Sequence, residues 1–228
     1  IIDCTNKHIS PGFIDMHVHL REPGFEHKET VKTGTLAAAR GGYTTICPMP
    51  NTKPVPDNLE TLQNFLKIVE RDAVVNVLPY ASITKSASEH GEIVEMKELN
   101  NLVAGFSNDG VGIQSSKLMY EAMQVANKFE ALIAAHCEDE ALLYGGYVHR
   151  GLKSELEGWK GITSLSESLQ IARDCLIAEE TNSKYHVCHI STKEGVRSVK
   201  EAKVRGQKVT CEVTPHHLLL VDRDVANT

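Results

Sequence analysis

The chain has 228 residues, 41% of them hydrophobic, and 24 Lys+Arg against 30 Asp+Glu leave a formal net charge of −6. That length is enough for one sizeable core or one large α/β domain. The acidic balance, with no Lys/Arg run, argues against nucleic acid as a partner, and no stretch approaches the roughly 18 apolar residues of a membrane span.

Taken in chain order, residues 1–10 open with Ile1-Ile2-Asp3-Cys4 and read as the end of a preceding β element. Short apolar, β-branched runs then predict strands over 12–19, 44–49, 74–80, 103–106, 132–136, 185–189 and 208–213. Helical spacing fills the intervals at 30–40, 58–71, 115–129, 164–180 and 192–205. The first of these stops at Gly41-Gly42, and the second has Asp57 as its expected N-cap. The Gly-rich stretch 138–162 predicts a short helix mixed with exposed loop. The six cysteines include no CxxC. Cys47, Cys137, Cys188 and Cys211 lie inside apolar runs, which suggests small buried thiols in a reducing cytoplasm rather than a disulfide framework.

Strands alternating with helices imply a parallel sheet, either open and doubly wound or closed as a (β/α)8 TIM-type barrel. The polar residues favour the barrel. His17, His19, Asn51, Asp109, His136 and His189 all fall at C-terminal strand ends, which in a barrel share one mouth. No Gly-rich phosphate loop follows the first strand. With about seven βα units readable, the eighth is expected to be absent from this sequence.

The chemistry begins at Asp15-Met16-His17-Val18-His19-Leu20-Arg21. Residues i and i+2 share a strand face, so His17 and His19 present two imidazoles side by side, a half-site for a divalent metal. Arg21 could hold a substrate carboxylate beside it. Four histidines and Asp109 at one mouth suit two borderline cations such as Zn²⁺, bridged by the carboxylate, with a water between them that loses a proton near neutral pH. Each residue alone has a plainer reading. His136 and His189 could be buried, backbone-bonded histidines, and Asp109 before Gly110 could be a turn residue. His186, three before His189, is placed on the other strand face as a structural histidine, and His216 and His217 stay unassigned. Cys137 and Cys188, each adjacent to a candidate ligand, are placed on the opposite faces and left out of the ligand set.

These strings carry a resemblance. Residues 11–24 (Pro-Gly-Phe-Ile-Asp-Met-His-Val-His-Leu-Arg-Glu-Pro-Gly), Cys47-Pro48-Met49-Pro50-Asn51-Thr52, Asp109-Gly110-Val111-Gly112, Ala135-His136-Cys137-Glu138-Asp139 and Glu212-Val213-Thr214-Pro215-His216-His217 resemble the amidohydrolase superfamily. More narrowly, they are similar to its bacterial type I dihydroorotase branch. The resemblance covers essentially the whole chain.

It implies an α/β barrel of which residues 11–228 form the part lacking its C-terminal end, and 1–10 a remnant of a small N-terminal β-sandwich. It implies reversible, metal-assisted hydrolysis of L-dihydroorotate to N-carbamoyl-L-aspartate in pyrimidine synthesis, with one or two Zn²⁺ per subunit. His17, His19, His136 and His189 match the family's metal ligands, and Arg21 and Asn51 match the residues that bind the substrate carboxylate. Many relatives bridge their metals with a carboxylated lysine. That strand end has no lysine here; Asp109 is the natural replacement, and Lys117 is placed on the following helix, solvated. The catalytic aspartate of the family is expected on an eighth strand beyond Thr228, so the 228-residue chain alone is expected to be inactive and poorly folded. A homodimer, with possible association to an aspartate transcarbamoylase, is the implied assembly. Allantoinase, dihydropyrimidinase or a non-catalytic scaffolding homologue are the rival readings; Arg21 favours a substrate with a free carboxylate.

Overall fold

The computed structural model describes residues 2–225. In chain order its elements are β1 (Phe13–Val18), α1 (Val31–Arg40), β2 (Tyr43–Pro48), α2 (Leu59–Asp72), β3 (Asn76–Val77), β4 (Tyr80–Ala81), α3 (Met96–Leu99), β5 (Gly105–Phe106), α4 (Ser116–Asn127), β6 (Leu132–Ala135), β7 (Val148–His149), α5 (Leu152–Glu157), β8 (Gly161–Ile162), α6 (Leu165–Thr181), β9 (Lys184–Val187), α7 (Lys193–Val204), β10 (Val209–Cys211) and α8 (Pro215–Leu219). Every strand pair is parallel, in the orders β1-β2-β3 and β4-β5-β6-β9-β10, with β7 and β8 paired apart.

The two larger sheets are one arc. The predicted strand 74–80 is split into β3 and β4 because Pro79 has no N–H for the ladder. On one side of the break the Leu78 amide still donates to Ile46 (2.9 Å); on the other the Ala104 amide donates to the Pro79 carbonyl (2.8 Å). The strand thus changes partner from β2 to β5 without leaving the layer. The result is seven successive strand positions of an incomplete (β/α)8 barrel, with all C-terminal ends on one side.

Strand alternation sorts the core into two layers. Phe106, Ile133, Tyr185 and Val187 face the helices and pack with Met119, Met123 and Ile171. Cys47, Met49, Tyr80, Ala134 and Cys188 face the barrel interior. Burying each large side chain contributes about 1.5–3 kcal/mol, so the outer layer carries most of the stabilisation.

Several local expectations need correction. Asn58, not Asp57, caps α2: the Thr61 amide donates to Asn58 Oδ1 at 3.0 Å, while Asp57 Oδ2 accepts from the Ser86 amide at 2.8 Å. The stretch 138–162 holds more than a short helix and a loop, because the β7/β8 ribbon flanks α5. All six cysteines are free, but Cys211 is exposed rather than buried. Its strand, β10, pairs only with β9 among the described residues, which leaves an open edge. Residues 2–12 form no strand; Cys4 and Lys7 close a turn there. Ile1 and residues 226–228, the outer ends of the two expected units, lie outside the described residues. Among the described residues no helix is long and apolar enough to cross a membrane.

Candidate metal and substrate site

The arc's C-terminal mouth gathers the predicted residues around Asp109. Asp109 follows β5 in a loop held by Asn108. The Asn108 side chain accepts from the Ile83 amide (2.9 Å) and donates to Thr84 Oγ1 (2.7 Å), pinning this loop to the one after β4. His136 extends β6 on its inward face. Behind it, the Gln170 and Gln114 side chains both donate to the Glu138 carbonyl at 2.9 Å. Gly112 passes the His136 carbonyl at positive φ (+74°), where a Cβ would come within 2.9 Å of that oxygen, so only glycine fits without displacement. His189 leaves β9 with φ +35°, an uncommon conformation for a non-glycine residue, and the following Ser191 is anchored through its amide to Glu167 (2.7 Å).

The resulting geometry is tight. Asp109 is 6% exposed, and its Oδ1 has no hydrogen-bond partner among the described residues. Around that oxygen lie His17 Nε2 at 3.4 Å, His189 Nε2 at 3.5 Å and His136 Nδ1 at 3.9 Å. Asp109 Oδ2 faces His19 Nε2 at 3.7 Å and accepts from Asn51 Nδ2 at 3.1 Å. His136 Nδ1 and His189 Nε2 approach to 3.0 Å. A buried carboxylate oxygen without a donor is costly, and a ring of imidazole nitrogens around it is the nitrogen-and-oxygen donor set that borderline divalent cations take. The residues present fit such a cation, and His17, Asp109 and His189 bring ligand atoms within 4.8 Å of one another.

The electrostatics follow from burial and mutual charge. Burial pushes the Asp109 carboxyl up, but the surrounding imidazoles of His189, His17, His19 and His136 outweigh it, and the net shift is down. Burial pulls His19 and His136 down, assisted at His136 by the charge of His189. At His189 the same burial is outweighed by Asp109, and its pKa is raised.

The structure therefore brings together His17, His19, Asp109, His136, His189 and Asn51. The Asn51 amide is engaged at both ends, with Oδ1 3.0 Å from His19 Nδ1 and Nδ2 on Asp109. Arg21 is half-buried in the turn after β1, at φ +60°. Its guanidinium is close enough to act on His19, and it pairs with no carboxylate among the described residues. Lys117 sits on α4, its side chain 83% exposed and 3.8 Å from Glu121, away from this mouth. Beside the histidines opens a cavity of about 440 Å³, lined by His136, His149, Thr163, Glu167, His189 and His217, among others.

Three neighbours escaped the sequence reading or were misplaced by it. Cys188 faces the barrel interior, within ligand distance of His17 and Glu212, rather than away from the site; His189 has already left the strand, so adjacent-residue alternation does not apply to the pair. His186 is on the interior face, under the mouth, with Nε2 3.2 Å from Glu212 Oε2. Glu212 itself stands 2.5 Å from His17 Nδ1. The available signal was polar alternation along the last strand, where Thr210 and Glu212 occupy one face of the run 208–213.

Comparison with known proteins gives a consistent picture. A family described as "Dihydro-orotase-like" matches residues 6–195. A protein of Listeria innocua named "Dihydroorotase" is 57% identical over 224 residues, which span 98% of this chain and 52% of that protein. One of Staphylococcus epidermidis with the same name is 54% identical over 226 residues, or 99% and 53%. The chain thus spans about half the length of the curated relatives it matches. Among solved structures, an L-hydantoinase (dihydropyrimidinase) from Arthrobacter aurescens superposes with a TM-score of 0.79 at 22% identity, over 94% of this chain and 49% of that one. A D-hydantoinase (dihydropyrimidinase) from a Thermus species superposes with a TM-score of 0.71 at 25% identity, over 92% and 48%.

Proposed function

The chain belongs to the dihydro-orotase-like family, and on that premise we propose that it carries the metal-binding half of a zinc-dependent cyclic amidohydrolase. The reaction is interconversion of L-dihydroorotate and N-carbamoyl-L-aspartate, a step of pyrimidine biosynthesis in the cytoplasm. The observation that carries this reading is the orphaned Asp109 Oδ1 inside a ring of three imidazole nitrogens.

His17, His19, His136, His189 and Asp109 would hold one or two Zn²⁺. Bound there, the cation supplies Lewis-acid polarisation of the amide carbonyl and lowers the pKa of water near neutral. The chain's own residues do the rest. Asn51 holds His19 and Asp109 in register by donating to the carboxylate and facing the imidazole. Arg21, a cation with no carboxylate partner among the described residues, binds the substrate carboxylate and orients the ring, so that attack on the amide becomes effectively unimolecular. The general base implied by the family has no assigned residue among those described.

The test is hydrolysis of L-dihydroorotate, dihydrouracil and allantoin by the intact, zinc-loaded gene product. Turnover of dihydroorotate alone is expected. Preference for dihydrouracil or allantoin would remove Arg21 from its role, and no turnover of any substrate with metal bound would replace the enzyme by a scaffolding subunit.

A further inference from the structure

Glu212 has no role in the reading above, yet it joins more of the mouth than any other carboxylate except Asp109. It lies at the end of β10, and His17 lies on β1, the strand at the far end of the arc. Its Oε1 stands 2.5 Å from His17 Nδ1 and accepts from the His189 amide at 3.4 Å. Its Oε2 stands 3.2 Å from His186 Nε2. His186, 3% exposed, in turn has Nδ1 2.7 Å from Thr210 Oγ1.

With both imidazoles neutral, the protons in this chain can be placed in one consistent way. A carboxylate only accepts, so His17 must donate through Nδ1–H and His186 through Nε2–H. His186 Nδ1 is then an acceptor, satisfied by the Thr210 hydroxyl. His17 Nε2 is left with a bare lone pair, and it points at Asp109 Oδ1, which has no donor of its own. Two lone pairs facing each other at 3.4 Å call for a cation between them. Glu212 is therefore not a competing ligand, because both its oxygens are occupied by imidazoles.

We propose that Glu212, braced by His186 and Thr210, is the positioning residue that fixes the Nε2-ligating tautomer and ring orientation of His17, and with it the affinity of the site for its divalent metal. This rests on the metal reading of His17. An outer hydrogen bond of this kind is generally worth about 10- to 100-fold in metal affinity.

The experiment is a double-mutant cycle on the intact protein, read as zinc affinity by competition with a chromophoric chelator. It compares the parent, Glu212→Gln, His17→Ala and the double variant. Glu212→Gln, nearly isosteric, is expected to weaken zinc binding about 10- to 100-fold in the parent and by less than about threefold where His17 is already gone. Glu212→Asp, which keeps the charge but shortens the reach, is expected to show the same dependence on His17, so loss of folding in one variant leaves the other to decide. The Co²⁺-substituted parent and Glu212→Gln are expected to differ in visible absorption, which a merely structural role would not change. An equal effect of Glu212→Gln in both backgrounds, or none, overturns the proposal while leaving the metal site standing. Failure of the parent to bind zinc overturns both.

Discussion

At the scale of single residues, Arg21 follows β1 and Asn51 follows β2, and the two differ in what already engages them. Asn51 is committed to His19 and Asp109, so in the proposed reading its part in holding substrate is exerted through the pair it braces. Arg21 has no such commitment, and it occupies a left-handed backbone conformation that costs a non-glycine residue about 1–3 kcal/mol. That cost is consistent with a side chain held for a ligand. Arg21→Met in the intact protein is expected to raise KM for dihydroorotate about 10- to 100-fold, the loss of a charged hydrogen bond worth about 1.5–3 kcal/mol. Steady-state kinetics with dihydroorotate measures this, and an unchanged KM would contradict it. His17 and His19 were legible as a pair because strand alternation is local. Glu212 was not, because its partner lies 195 residues away and only the closure of the arc brings them together.

At the scale of elements, the helices were read more closely than the strands. Helices α1, α2, α4 and α7 begin with side-chain caps, at Thr30, Asn58, Ser115 and Thr192, and caps are written in neighbouring residues. The predicted strand 74–80 is divided because Pro79 interrupts it. The β7/β8 ribbon, with two residues in each strand, leaves no periodicity to detect. The apolar joint between β9 and α6, where Tyr185 and Val187 share a core cluster with Ile171, encloses a polar network. Tyr185 donates to Asp174 Oδ2 at 3.0 Å, and Arg173 Nε donates to Asp174 Oδ1 at 2.7 Å. Burial pushes the Asp174 carboxyl up, opposed by Arg173 and then by the Tyr185 hydrogen bond. Removing the hydroxyl leaves a fully buried carboxylate oxygen without its donor. Tyr185→Phe is therefore expected to cost about 1–3 kcal/mol in urea unfolding of the intact protein, and a loss below about 0.5 kcal/mol would show that this network carries no stability.

At the scale of the whole molecule, the parallel arc is what makes the site. Each strand delivers its C-terminal residue to one side, so side chains far apart in sequence meet around a single buried carboxylate. That rule let Asp109, His136 and His189 be gathered from the sequence, although each alone has an ordinary reading. It could not foresee that Cys188 and His186 line the interior beneath them, because that depends on where β9 ends and His189 turns out of it. In the proposed function this mouth works through a divalent cation. The most direct measurement is the rate of dihydroorotate hydrolysis by the intact protein before chelation, after chelation, and after zinc is returned. Activity that falls to background on metal removal and returns with zinc is the predicted result. Full activity in protein shown to be stripped of metal would contradict it.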